Sequence, residues 1–187
     1  MSTSSQKGEQ SQSQKQLDLF KVTRIITLES SDGPRFDVTE PIAIQMGTVR
    51  SFLEENESSG DAAAAAWITV PLLNVSSSCL VQIIKYCTKH HQFKVKSAPE
   101  KDVKDYDSGL LEEWWSNDII REVLLSANYL DMKDLLELTS KGIAERIQNK
   151  SPEFVRNYFG VVNDFTPEEE AKIRQEHSFA FEGIDQD

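Results

Sequence analysis

Apolar residues recur at helical spacing in the stretch of chain that ends near residue 160. From Met132 to Ile147 they follow one another at intervals of three, four and seven residues, which predicts an amphipathic helix with Asp131 as its N-cap. Serine and proline at 151–152 predict the start of a second helix, and Gly160 predicts its end. Together the two helices present more apolar surface than the remaining chain covers, so this region needs a core or a partner.

The N-terminal half begins with an alternating pattern that is typical of strands. Ile26 and Leu28 are each followed by a polar residue, and turn-forming residues at 31–34 separate them from a second short run, which predicts a β-hairpin. Helix-start signals at 39–41 and 47–48 predict two short helices after the hairpin. We expect both helices to pack on the hairpin.

The middle of the chain alternates between ordered patterns and polar segments. Residues 54–66 combine acidic residues, serine and an alanine run, which predicts an exposed loop that is helical at most at its alanine end. Residues 67–72 predict a strand, and their proline places it at a sheet edge. Serines at 76–78 predict the cap of a helix that ends near His90, and 91–107 have the composition of a linker.

A further helix is expected after the linker, with Ser116 or Asn117 as its cap. Its apolar residues lie on more than one face, which predicts a central, largely buried helix. These residues are Ile119, Ile120, Val123, Leu124, Ala127 and Leu130. Nearer the C-terminus, Thr166 and Glu169 flank a proline in the pattern of a capping box, which predicts a last helix with few apolar residues.

Charge and composition exclude two classes of partner. The 187 residues carry a net charge of −11, which repels phosphate backbones and anionic lipid surfaces. No apolar run reaches the roughly 20 residues that a membrane span needs, and the N-terminus lacks the apolar segment of a secretory signal. We therefore expect no nucleic-acid partner, no membrane partner, and a location in the nucleus and cytoplasm.

The residue types that carry chemistry form no pattern typical of an active site or a metal centre. Cys79 and Cys87 lie about two turns apart in one predicted helix, too far for a disulfide, so we expect buried reduced thiols. His90, His91 and His177 lack partners at zinc-like spacing and are interpreted as surface histidines. Nucleophile motifs and phosphate-binding glycine loops are absent. The sequence therefore predicts no enzyme activity, no cofactor and no metal.

Six segments carry the most distinctive residue order in the chain. They are LESSDGPRFDV at 28–38, VPLLNVSS at 70–77, KYCTKHH at 85–91, ANYLDMKDLLELT at 127–139, NKSPEFVRNYFGVVNDFTPEEEAKIRQE at 149–176 and HSFAFE at 177–182. They resemble the Skp-type adaptors, the S-phase kinase-associated protein family, which are the F-box-binding subunits of cullin-RING ubiquitin ligases. The resemblance implies an α+β fold, in which a BTB/POZ-like domain with a small β-sheet flanked by helices precedes C-terminal helices that bind an F-box.

The resemblance also implies a division of the chain into two functional parts. Residues 23–130 are expected to form the BTB/POZ-like, cullin-binding domain, with the linker at 91–107 inside it. Residues 131–182 are expected to form the helical F-box-binding region. The flanking segments 1–22, rich in serine and glutamine, and 183–187 are predicted to be disordered.

Two binding surfaces on a non-catalytic adaptor follow from the resemblance. Asn128 and Tyr129 stand where family members face the cullin. The residues alone are equally compatible with a local role, in which their side chains satisfy nearby backbone groups. The F-box surface is an apolar ridge along the last helices, for which core packing is the other explanation and must hold at some positions. The ridge comprises Leu135, Leu138, Ile143, Ala144, Ile147, Pro152, Phe154, Val155, Phe159, Phe165, Ile173 and Phe179.

Two other functions fit the same residues, namely a BTB-type homodimerising scaffold and a Skp-like adaptor in a non-ligase complex. The chain also departs from the family pattern. Arg121 stands where an aromatic residue is usual, Phe179 where tryptophan is usual and Gly142 where threonine is common. A glycine inside a helix costs roughly 1 kcal/mol unless a close approach requires it. These departures predict a partner preference of the chain's own.

Overall fold

The computed structural model of the chain describes residues 24–58 and 68–184. The tail predicted over 1–22 lies outside the described residues, as do 59–66 of the predicted loop, the first residue of the strand predicted over 67–72, and 185–187 of the predicted C-terminal tail. Residues 54–58, which were predicted to belong to the loop, are instead helical. Within the described ranges the fold consists of a three-stranded sheet, eight α-helices and one short 3-10 helix. This composition confirms the prediction of an α+β fold.

The three strands of the sheet come from the N-terminal part of the chain. Strands β1 (Ile25–Ser30) and β2 (Arg35–Thr39) are antiparallel and form the predicted hairpin. Strand β3 (Ile68–Leu72) pairs with β1 in parallel, and the order β2-β1-β3 leaves β3 at an edge, as its proline predicts. Ile26 and Leu28 of the central strand are fully buried, so the alternating pattern turns one face of the sheet toward the core.

Helices account for most of the remaining chain. They are α1 (Glu40–Ala43), α2 (Gly47–Ser58), α3 (Ser77–Lys96), α4 (Glu100–Ser116), α5 (Ile120–Tyr129), α6 (Lys133–Ile147), α7 (Pro152–Phe159) and α8 (Pro167–Glu176), with the 3-10 helix at Ser178–Phe181. The side chains of Ser76, Ser151 and Thr166 accept N-cap hydrogen bonds at the starts of α3, α7 and α8, as predicted. Helix α3 continues past His90, where its end was predicted.

The linker predicted over 91–107 is wrong for most of its length. Helices α3 and α4 fill this segment except for 97–99. The connection is short because Ser97 ends α3 with a left-handed backbone, φ 49°. Within 91–107 both helices lie at the surface, and they meet where the ring centroids of Phe93 and Tyr106 lie 5.7 Å apart. A polar composition therefore reflects surface helices here.

Two predicted helix caps are also wrong. Neither Ser116 nor Asn117 caps α5, because Asn117 instead ends α4, where its side chain donates a hydrogen bond to the Glu113 carbonyl at 2.9 Å. Asp131 does not cap α6, because its own backbone is left-handed, φ 50°, and Met132 occupies the cap position. At both places the polar residue closes a tight connection between two helices.

One hydrophobic core joins the sheet to the later helices. Trp114 of α4 is fully buried, and its indole nitrogen donates to the Gln82 side chain at 3.2 Å. Leu135 and Ile143 of α6 belong to the same cluster as Ile26 of the central strand. The C-terminal helices therefore share a core with the sheet.

The start of α2 packs against the turn between α5 and α6. The Thr48 hydroxyl donates to the Tyr129 carbonyl at 2.8 Å, and the Thr48 backbone N–H donates to the Leu130 carbonyl at 3.2 Å. A Cβ atom on Gly47 would lie 2.9 Å from the carbonyl oxygen of Asp131. Glycine at the start of α2 thus allows the close approach that fixes the end of α5.

Candidate functional site: two protein-binding surfaces

Helix α7 presents an apolar face although it has no fully buried residue. The Ser151 hydroxyl accepts a hydrogen bond from the Phe154 N–H at 3.0 Å, and Pro152 occupies the first turn. Gly160, with φ 66°, ends the helix. This short helix holds Phe154 partly buried and leaves Phe159 42% exposed.

Tyr158 connects α7 to the rest of the fold. Its ring stacks on Trp115 with the centroids 4.9 Å apart and the planes at 17°, and the edge of Phe159 lies against it at 5.0 Å. The Arg121 guanidinium lies 5.1 Å from the same ring and donates to the Tyr158 carbonyl at 2.5 Å. Burial raises the pKa of the Tyr158 hydroxyl. The apolar face of α7 is therefore held from beneath by α4 and α5.

Helix α8 is attached mainly through charged side chains. It has no fully buried residue, and it begins with the predicted capping box of Thr166 and Glu169. Arg156 of α7 pairs with Glu170 at 3.1 Å, and Arg174 of α8 pairs with Glu153 of α7. The hydrogen bond from Arg156 lowers the pKa of Glu170. Because these pairs are partly solvated, they contribute little stability individually.

Large apolar side chains remain exposed around α7 and α8. Phe159 ends α7, Phe165 precedes α8, and Phe179, 72 % exposed, follows it. Val161 and Val162 lie in the connection between the two helices and are also exposed. We call these five residues the C-terminal apolar surface. The sequence prediction missed both valines. A signal was available, because two adjacent branched residues follow a helix-ending glycine and belong to no strand pattern.

The residues predicted to contact an F-box divide into two groups. Leu135 is fully buried and Ile143 is only 4 % exposed, so both lie in the core and offer no surface to a partner. This corrects their assignment, because the inward side of α6 completes the core instead. The remaining predicted positions are at least partly accessible: Leu138, Ala144, Ile147, Pro152, Phe154, Val155, Phe159, Phe165, Ile173 and Phe179.

A second exposed group lies near the end of α5. Asn128 is exposed and Tyr129 is partly exposed, and Leu125, 68 % exposed, lies one turn before Tyr129. We call Leu125, Asn128 and Tyr129 the α5 surface. The sequence prediction did not assign Leu125 to a surface. However, Leu125 is not among the positions of this helix that the pattern predicts to be buried, which indicates that it faces outward. The hydrogen bond from Thr48 to the Tyr129 carbonyl fixes the backbone beneath this surface.

The two cysteines are free and buried, which confirms the prediction of reduced thiols. Burial raises the pKa of Cys79 to about 11 and that of Cys87 to about 12. The Cys79 thiol also lies within 3.2 Å of the Ser126 hydroxyl, to which it donates. Because the thiolate is the reactive form, neither side chain is set up as a nucleophile at neutral pH.

His90 is not the surface histidine that the sequence predicts. Its Nε2 lies 2.7 Å from a carboxylate oxygen of Asp107, and its ring packs 4.0 Å from that of Tyr86.

In residues 24–58 and 68–184, no three or more His, Cys, Asp or Glu side chains form a group able to hold a metal ion. Over the same ranges, no helix combines the length and the apolar character that a bilayer span requires.

Comparison with known proteins identifies the chain. Residues 24–92 match the tetramerisation-domain model of the Skp1 family, and 133–180 match that family's dimerisation-domain model. SKP1-like protein 11 of Arabidopsis thaliana is 41% identical over 160 residues, which cover 86% of this chain and 99% of that protein. The chain belongs to the Skp1 family. This Skp1-family protein is accordingly an adaptor of SCF-type ubiquitin ligases, which links F-box proteins to a cullin.

Other Skp1-family relatives align over nearly their whole length. SKP1-like protein 12 of Arabidopsis thaliana is 39% identical over 86% of this chain and 99% of its own length. SKP1-like protein 3 of the same plant is 33% identical over 88% of this chain and 100% of its own length. The family match confirms the resemblance found in the sequence, and the tetramerisation-domain match together with the small sheet confirms the BTB/POZ-like fold.

Proposed function

We propose that the C-terminal apolar surface binds the helices of an F-box protein and that the α5 surface binds the cullin. The observation that carries the proposal is the exposure of Phe159, Phe165 and Phe179 around two helices whose underlying core is already complete. Grouped exposed apolar residues of this kind mark interaction sites, and an amphipathic helix of a partner could cover them with its own apolar face. Leu135 and Ile143 belong to that core.

The α5 surface has the composition of a smaller interface. Tyr129 offers both apolar area and a hydroxyl, Leu125 offers apolar area, and Asn128 offers hydrogen-bonding groups. Because Thr48 holds the end of α5, little ordering is needed when a partner binds there. This supports a pre-formed contact for the cullin.

We propose that the protein acts without chemistry of its own. Its thiols are buried with raised pKa values, and the adaptor role needs only that two partners be held at a fixed separation. Holding a substrate receptor and a catalytic subunit in one complex raises their effective concentration. We also propose that this bridging occurs in the nucleus and the cytoplasm, which imaging of a fluorescent fusion would test.

Binding measurements on charge-introducing variants test the two-surface proposal. Val162→Asp and Phe165→Asp should weaken binding of an F-box segment by more than tenfold, because each places a charge in an apolar contact, and should leave cullin binding unchanged. Leu125→Asp and Tyr129→Lys should have the opposite selectivity. Val95→Asp is the matched control, because Val95 is equally exposed on α3 but lies in neither surface.

Isothermal titration with a purified F-box segment and with a cullin N-terminal fragment provides both affinities for each variant. If variants from the two surfaces lose the same partner, the two-surface proposal is wrong. Val95→Asp should bind both partners like the unchanged protein. A large loss in that control would mean that any added charge disturbs binding, and the assignments would have no support.

A further inference from the structure

One arginine of α5, Arg121, contacts the end of α7. Helix α7 has no fully buried residue, and only the short segment 148–151 joins it to α6. Its ring contact with the fold is the stack of Tyr158 on Trp115. Arg121 contacts both the ring and the backbone of the same tyrosine. Arg121 therefore acts on the residue that connects α7 to the rest of the fold.

The contact adds a hydrogen bond at the end of α7. The last carbonyls of any helix lack intrahelical partners. The N–H groups of Gly160 and Val161 satisfy the carbonyls of Asn157 and Arg156, while Arg121 Nη1 donates to the Tyr158 carbonyl at 2.5 Å. A cation at this end also interacts favourably with the helix dipole.

Arginine suits this position better than lysine does. Its planar group donates to the Tyr158 carbonyl while its centre lies 5.1 Å from the centroid of the Tyr158 ring. A second nitrogen of the same group lies 3.4 Å from a carboxylate oxygen of Asp118, which precedes α5. An ammonium group can replace the carbonyl contact but not the planar contact with the ring.

We propose that Arg121 is a positioning residue that holds α7 in the orientation required for partner recognition. The inference rests on the proposed F-box role of the C-terminal apolar surface and identifies what presents one part of it. Arg121 acts through Tyr158, whose ring stacks on Trp115 and contacts the adjoining Phe159. Because Arg121 and the α5 surface belong to one helix, α5 carries both the anchor of α7 and the proposed cullin contact.

Hydrogen exchange on the full chain without any partner tests the anchor directly. In Arg121→Met, the amides of α7 should exchange about fivefold to tenfold faster, because both the carbonyl contact and the ring contact are lost. Arg121→Lys should fall between this variant and the unchanged protein. Arg146→Met is the matched control, because Arg146 lies 5.2 Å from the other aromatic partner, Trp115, but pairs with Glu112 of α4 and does not contact Tyr158. Exchange in α7 should be unchanged in this control.

Binding of an F-box segment provides the second measurement. Arg121→Met should lower its affinity by a similar factor, mainly through slower formation of the complex, with partial recovery in Arg121→Lys. Unchanged exchange of α7 in Arg121→Met would overturn the proposal. A loss of F-box or cullin binding without faster exchange would also overturn it, because Arg121 would then contact the partner directly. If the unchanged chain captures no F-box segment, the proposed function fails while the exchange result still decides the role of Arg121.

Discussion

Individual glycines in this protein mark places where two helices approach each other closely. Gly142 lies in the middle of α6, and a Cβ atom there would lie 2.7 Å from a methyl carbon of Leu111 on α4. The sequence alone does not decide whether a close approach requires this glycine, and the structure shows such an approach. Its partner was not predictable, because Leu111 is distant in sequence and the linker predicted near it hid the course of α4.

Gly47→Ala tests a close approach that involves a backbone atom, at the start of α2. The added Cβ would lie 2.9 Å from both the Cβ and the carbonyl oxygen of Asp131, and backbone atoms move less readily than the end of a side chain. We expect the free energy of unfolding to fall by about 1–3 kcal/mol, the usual cost of overpacking. Gly109→Ala is the control, because nothing lies within 4 Å of that position in α4, and it should raise the free energy of unfolding by up to about 1 kcal/mol. Urea denaturation measures both changes, and a similar loss in both variants would contradict the close-approach argument.

Tyr158→Phe distinguishes the contribution of the Tyr158 ring to stability from that of its hydroxyl. The hydroxyl oxygen is buried and has no hydrogen-bond partner among the described residues, while the ring keeps its stack on Trp115. Because an unpaired buried polar group is unfavourable, removing it should leave the free energy of unfolding unchanged or raise it by about 1 kcal/mol. Tyr158→Leu, which loses the stack, should lower it by about 1 kcal/mol or more. Thermal denaturation of both variants provides the comparison, and a larger loss in Tyr158→Phe than in Tyr158→Leu would contradict this prediction.

Whole elements were predicted well where their signals are local. Ser76, Ser151 and Thr166 each bond to a backbone N–H a few residues away, so each cap could be recognised from neighbouring residues. The caps at Asn117 and Asp131 failed because the same residue types also end helices and close turns, and the choice depends on where the next helix packs. Arg121 was recognised only as a departure from the family pattern, since its contact needs the position of α7.

Helix α8 should loosen in acid before the rest of the fold. Hydrogen bonds lower the pKa of Glu169, which caps the helix, and of Glu170, which pairs with Arg156, below their ordinary value of 4.5. A lowered pKa means that the stabilisation is present above 4.5 and is lost as the pH falls through the lowered values. Helical chemical shifts of α8 measured by NMR between pH 6 and pH 2 should decrease over that range, ahead of those of α3. In Glu170→Gln, the charged pair with Arg156 is already absent at pH 6, so α8 should start less ordered and change less; an identical titration would contradict this explanation.

At the scale of the molecule, the core unites segments that the sequence divides. Trp114 of α4, Val123 of α5 and Leu135 of α6 belong to one cluster with Ile26 of the sheet. The alternating and helical patterns predict which residues are apolar and inward, but not that the last large helix closes the same core. That step depends on long-range packing, and it is why Leu135 and Ile143 were assigned to a partner instead.

Truncation distinguishes the parts that stabilise the fold from those that only bind. A chain ending at Gly160 loses α8, which has no fully buried residue, so its free energy of unfolding should change by less than about 1 kcal/mol. It also loses Val162, Phe165 and Phe179, so affinity for an F-box segment should fall by more than tenfold while cullin affinity is kept. A chain ending at Met132 loses α6 and should not fold. Circular dichroism and titration measure these outcomes, and unfolding of the longer fragment would contradict the division.

The shared core sets a constraint on how the protein is made. A ribosome releases the sheet residues first, yet the core cluster that contains Ile26 and Leu28 is complete only after α6, which ends at Ile147, has been synthesised. Through most of translation the nascent chain therefore displays uncovered strand and helix faces, a state that favours aggregation and calls for chaperones. We expect a stalled nascent chain that ends before α6 to be retained by such chaperones, and one that extends beyond α7 to be released.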